Sequence, residues 1–118
     1  MLNGWAERPM YLACGATDLR KSIDSLAAQV QQAFRHDPCG PALFVVCNRE
    51  RDKVKILEWE VSGFWLHYKR LERGRFPWPA AEAAPLGTVD ARQLHWLLAG
   101  LAWEQPQAHR ALRGRRIV

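Results

Sequence analysis

ALFVVCNRERDKVKILEWEVSGFWLHYKRL, residues Ala42–Leu71, is the stretch that decides the fold. Its opening run, Ala42–Cys47, is unbroken, apolar, and rich in β-branched and aromatic side chains, the composition of a strand buried on both faces. Asn48–Asp52 is a polar turn. Lys53–Glu60 reads as a second strand, Ser62-Gly63 as a reversal, and Phe64–Leu71 as a third strand. Three strands joined by short turns make an antiparallel meander. In the middle strand Val54, Ile56 and Glu58 share one face, and Lys55, Leu57 and Trp59 share the other. Both faces change character halfway, and a bulge or strong twist near Ile56-Leu57 would reconcile that with a single core face.

Upstream, Met10–Ala13 reads as a brief strand ending at Gly15. Thr17 is suited to cap a helix and Asp18 to place negative charge at its first turn. Leu19, Ile23, Leu26, Val30 and Phe34 then recur at helical spacing, so a helix is expected over Thr17–Phe34. Downstream, Gly74 and Pro77–Pro79 end the sheet region and Ala80–Ala84 reads as a surface loop. Asp90 can cap a second helix carrying Leu94, Leu97, Leu98 and Leu101, with Gly100 in a C-cap role. The fold class is therefore α+β: a twisted antiparallel β-meander of three or more strands packed against two helices, in a single domain. One sheet face is expected to receive both helices. The organisation read from the chain is a poorly ordered lead-in over residues 1–9, one α+β domain over 10–104, and a basic C-terminal tail over 105–118.

The charge is localised. The net charge is +5, yet residues 1–48 carry four basic and four acidic side chains and balance. The excess sits between Asn48 and Pro79, with eight Lys/Arg, and in the tail, which holds Arg110, Arg113, Arg115 and Arg116. Basic charge gathered in one segment favours a polyanionic partner more than a diffuse excess does. Arg49, Arg51, Lys53, Lys55, Lys69, Arg70, Arg73 and Arg75 are the candidate phosphate contacts, since Arg offers planar forks and Lys a mobile charge. If about six met phosphates, the binding constant would fall with salt at a log–log slope of roughly −5. The competing reading is a solvated face whose cations pair with Glu50, Asp52, Glu58, Glu60 and Glu72.

Three of the six tryptophans fall in the same segment. Trp59 and Trp65 are expected in the core; Trp78, between two prolines, is the candidate for an exposed ring that stacks on a base. Cys14, Cys39 and Cys47 have neither CxxC spacing nor an even count, which argues against a disulfide framework and a cysteine-only zinc site. The four histidines form no HxxxH or HExxH pair. A Cys14 nucleophile would need His67 as its base, and Glu58, Glu60 and Glu72 would have to escape their cationic neighbours to hold a metal. Neither is favoured, so no catalytic residues, metal or cofactor are expected. Without a leader-like opening or a membrane-length apolar run, the expectation is a cytoplasmic protein that makes no membrane contact.

YLACGATDLRKSIDSLAAQV (Tyr11–Val30), LFVVCNRERDKVKILEWEVSGFWLHYKRLERGRFPWP (Leu43–Pro79) and QLHWLLAGLAW (Gln93–Trp103) carry a more specific signal. Their blocks CGxTDxRK, NRxxDxxKIL and YKRLExGRFxWP make the chain resemble the family of small second-reading-frame accessory proteins, often labelled TnpB, of IS-sixty-six bacterial insertion sequences. Leu19 stands where that family commonly has methionine, Ser22 and Ser25 where it has glycine, and Glu58 where it has an aromatic. The resemblance implies a non-catalytic partner in transposition, with strand transfer left to a separate transposase of the same element. Joined to the charge pattern, it leads to an accessory factor that binds DNA through Arg49, Arg51, Lys53, Lys55, Lys69, Arg70, Arg73 and Arg75. Trp78, Arg113, Arg115 and Arg116 would be auxiliary contacts. The alternative is an adaptor that docks on the transposase, or on itself as a homo-oligomer, through the aromatics Phe64, Trp65, Tyr68, Phe76 and Trp78.

Overall fold

The computed structural model describes residues 4–82 and 84–101. The meander is present as β2 (Leu43–Cys47), β3 (Lys53–Glu60) and β4 (Gly63–Arg70). Two more strands, β1 (Met10–Ala13) and β5 (Leu86–Val89), extend it to a five-stranded sheet of order β4-β3-β2-β1-β5. β1 runs parallel to β2, with helix α1 (Ile23–Gln32) in the crossover, and every other pair is antiparallel. The sheet is therefore mixed, and β5, a four-residue strand after Pro85, closes the side that the meander leaves open.

The two helices cover opposite faces, a correction to the expectation that one face receives both. α1 packs Leu26 and Val30 with Ala13, Phe44, Val46 and Leu57. Helix α2 (Ala91–Leu98) packs Leu94, Leu97 and Leu98 with Leu12, Leu43, Val45, Val54 and Ile56. All five β2 residues are buried, as a strand covered on both sides requires. The same arrangement resolves the two-faced pattern of β3. Its pairing runs unbroken from Lys53↔Arg70 to Glu60↔Gly63, with no bulge. Leu57 lies under α1 while Val54 and Ile56 lie under α2.

Helix boundaries follow local hydrogen bonding. Thr17 does not cap α1 and Asp18 does not stand in its first turn: the Asp18 carboxylate accepts from the Arg20 backbone N–H at 3.0 Å and from the Arg20 side chain. The Thr17 N–H donates to the Cys47 carbonyl at 2.8 Å. Helix formation waits for Ser22, whose Oγ accepts from the Ser25 N–H. Asp90 caps α2 as expected, and Gln93 bonds back to it to complete a capping box. Gly100, at φ 81°, ends α2 in a Schellman arrangement: its N–H reaches Leu97 O and the Leu101 N–H reaches Trp96 O.

The stretch read as a loose lead-in contributes to the core. Trp5 is 4% exposed and sits in the α2-side cluster. At the far end of β3, Val61 and Ser62 make a two-residue hairpin turn, with Val61 at φ 57° and 92% exposed. A β-branched residue in the left-handed region is a steric outlier.

Candidate nucleic-acid interface

The β3–β4 ladder decides which cations share a surface. Side chains alternate across a strand, and Leu57 and Leu66 mark the α1 side. Lys53, Lys55, Tyr68 and Arg70 therefore belong to that side, Lys53 opposite Arg70 and Lys55 opposite Tyr68. Lys69 falls on the other face, opposite Val54, where its Nζ donates to the Leu98 carbonyl at 2.6 Å. A cation at the exposed carbonyls of a helix end offsets the negative pole of the helix, so Lys69 is tied to α2 and stands apart from its neighbours.

The remaining cations are gathered by backbone geometry. Asn48 organises the β2–β3 turn: its side-chain oxygen accepts from the Asp52 and Lys53 N–H groups at 3.1 and 3.0 Å, and its amide donates to Asp52 at 2.7 Å. Arg51 takes a left-handed conformation there, at φ 62°. The segment after β4 is stitched alongside, with the Leu71 N–H bonded to Asp52 O and the Phe76 N–H to Arg51 O. Arg49 and Arg51 on one loop thus adjoin Arg73 and Arg75 on the other, and all four are exposed. Among the described residues none of the four makes an ion pair. Arg70 pairs with Glu72 at 3.0 Å on the open surface, where water screens such a contact.

Between that end of the sheet and the approach to α1 lies a cleft of about 680 Å³. Its lining includes Arg20, Arg49, Lys53 and Lys55, with Leu66 and Tyr68 as apolar surface and Asp18 and Glu50 as the acids. Four cations face two lining carboxylates, and Asp52 stands 3.5 Å from Lys53 Nζ beside them, so the cleft is modestly positive. Hydrogen bonds from the Arg20 side chain and backbone hold the Asp18 carboxyl down to about 2, so it stays ionised and partly neutralises Arg20. Lys55 donates to Leu19 O at 2.6 Å and sits 5.6 Å from the centre of the Tyr68 ring. Tyr68 is itself 55% exposed.

The tryptophans exchange the places expected of them. Trp78 is half-buried against the α2-side core and donates its indole N–H to Ala13 O at 2.9 Å. Trp65 is 56% exposed, with its N–H on Glu60 and its ring stacked on His67. Trp59 is half-buried, edge-on to Phe64. Arg113, Arg115 and Arg116 lie outside the described residues.

A second polar constellation lies on the α2 side, where sequence reasoning saw only charge pairing. Glu58 is buried and accepts from Trp5 Nε1–H at 3.2 Å and Arg8 Nη1 at 2.5 Å, with His67 Nε2 at 2.7 Å. Burial pushes this carboxyl up, but the His67 and Trp5 hydrogen bonds and the Arg8 charge together outweigh it and hold it below its ordinary range. Arg8 also bonds to Pro41 O and Trp59 O, pinning the N-terminal segment across the meander. The sequence signal was an acid at an inward position of β3, next after Val54 and Ile56.

The Cys14–His67 pairing is not assembled: Cys14 follows β1, three places from His67's strand in the sheet, and burial raises its thiol. Burial pushes Cys47 up to about 12. Among the described residues no group of three or more His, Cys, Asp or Glu is arranged to hold a metal ion.

Comparison with known proteins places the chain in a family. The family described as IS66 Orf2 like protein matches residues 8–108. The chain belongs to that family. Two Sinorhizobium fredii proteins are similar along most of their length. The protein y4hO is 38% identical over 98 residues, covering 83% of this chain and 84% of its own. The protein y4jC is 30% identical over 94 residues, covering 80% of each. No solved structure matches. Membership makes this IS66 Orf2-like protein an insertion-sequence accessory protein. No helix among its described residues is long and apolar enough to cross a membrane.

Proposed function

We propose that this IS66 Orf2-like protein serves transposition by binding DNA on the α1 side of the β3–β4 hairpin. The observation that supports it best is the positive cleft bounded by Arg20, Arg49, Lys53, Lys55 and Tyr68. Cations on a concave surface concentrate field lines and attract phosphate. The contacts are positional, since neither α1 nor α2 presents a basic helix face suited to a major groove. Chemistry on DNA is left to the transposase.

The test is a salt titration of labelled DNA against the wild-type chain and the double variant Arg49→Glu, Lys53→Glu. The variant should lose at least ~10-fold in affinity and flatten the log–log salt slope by about 2. An unchanged affinity in a folded variant, or wild-type affinity for DNA that shows no salt slope, refutes the reading. A second reading, an adaptor on the transposase, is favoured by Trp65: it is a large exposed aromatic on the face away from the cleft.

A further inference from the structure

We infer that the cleft on the α1 side takes unpaired nucleotides, so that the DNA form this protein recognises is single-stranded. The inference rests on the DNA-binding reading above and narrows it to one substrate class. Three observations carry it.

The first is shape. The cationic surface is an open recess of about 680 Å³, comparable in volume with ligand clefts of ~300–1,000 Å³. A recess of that size admits one or two splayed nucleotides, whereas a duplex presents a broad convex rod whose bases are already stacked and cannot enter. The second is the aromatic surface. Tyr68 is 55% exposed in the wall that carries Lys53 and Lys55. Its cross-strand partner Lys55 is held by Leu19 O, 5.6 Å from the ring centre, so one side of the ring has a fixed cation. The exposed remainder is a platform for a base, and every base has a π-face, so stacking there is tolerant of sequence. The third is the order of groups. The ring and aliphatic Leu66 lie beside Lys53 and Arg49, so a base on Tyr68 leaves its phosphates within the cationic wall. Alternating a stacking platform with a charged groove is how single strands are held without base readout.

The exposed aromatic on the opposite face supplies an internal control. Trp65 is as exposed as Tyr68 but points to the α2 side, next to Glu60 and His67.

The experiment uses fluorescence anisotropy with a labelled oligothymidine of about a dozen nucleotides and with a hairpin duplex of equal phosphate number, on wild type, Tyr68→Ala, Tyr68→Phe and Trp65→Ala. The single strand should bind at least ~10-fold more tightly than the duplex. Loss of one stacked base predicts a fall of roughly 5- to 150-fold for Tyr68→Ala, with the salt slope retained. Trp65→Ala should bind as wild type does, and Tyr68→Phe, which keeps the ring, should recover most of the affinity that Tyr68→Ala loses. Equal or tighter duplex binding overturns the inference, as does an unchanged affinity for Tyr68→Ala. In both of those cases the DNA-binding reading survives, provided that Arg49→Glu, Lys53→Glu still weakens the complex. Absence of binding to both probes at low salt refutes the DNA reading itself. Unfolding curves for each variant confirm that the fold is intact.

Discussion

Removing the Glu58 carboxylate should destabilise the domain heavily, and most above the pH at which that group ionises. Its side chain is 6% exposed and faces Arg8, 19% exposed, and His67, 25% exposed. Glu58→Ala would leave those two groups and the Trp5 N–H without their shared acceptor. Breaking a buried pair costs ~3–5 kcal/mol; Arg8 keeps its bonds to Pro41 O and Trp59 O, so the low end, about 3 kcal/mol, is expected. In a domain whose whole stability is roughly 5–15 kcal/mol that is a large fraction. Glu58→Gln keeps the volume and one acceptor oxygen and should cost about 1–2 kcal/mol. The folded carboxyl is held below its ordinary range, so the folded state binds the proton less tightly than the unfolded chain. The stabilisation is therefore complete above the unfolded value of about 4.3 and disappears as pH falls through the lower folded value. Urea unfolding of wild type and both variants from neutral pH to about pH 3 measures this directly. The gap between wild type and Glu58→Gln should narrow in acid. Equal midpoints for wild type and Glu58→Ala at neutral pH, or a gap that widens in acid, would refute the reasoning.

Two further predictions concern the backbone. Val61→Gly should raise stability by about 1 kcal/mol, because it relieves a β-branched residue at φ 57° that is 92% exposed and contributes nothing to the core; a lowered urea midpoint would contradict it. Gly15→Ala should cost about 2–3 kcal/mol, because a Cβ there would stand 2.8 Å from Ala81 Cβ at a backbone φ of 77°. An unchanged thermal midpoint would show that the 79–82 segment yields freely.

What the sequence disclosed was what short-range chemistry decides. The three meander strands, the Asp90 cap and the Gly100 terminator are specified by residues within a few positions of one another, and each stands as expected. The start of α1 was misplaced because Thr17 is bonded to the Cys47 carbonyl and Asp18 to Arg20, contacts that leave the cap to Ser22. β5 escaped notice because four residues containing a glycine carry too little alternation to register. The opposite placement of the helices was hidden in β3, whose faces look contradictory until both are covered. Exposure of Trp65 and burial of Trp78 depend on what lies above each ring, which no spacing encodes. For the same reason the cationic segment was visible while its division was not: Lys69 differs from Lys53 and Lys55 only in the parity of its position on the ladder.

The sheet order has a consequence for how the molecule is made. β1 is the first strand to leave the ribosome, yet it lies between β2, some 30 residues later, and β5, some 75 residues later. The meander can assemble from neighbouring segments as soon as it emerges, but Met10–Ala13 gains its second neighbour only when Leu86–Val89 has been synthesised. Closing such distant segments is the slow, entropically costly part of folding. The earliest strand therefore waits with one edge unpaired until Leu86–Val89 arrives beside it.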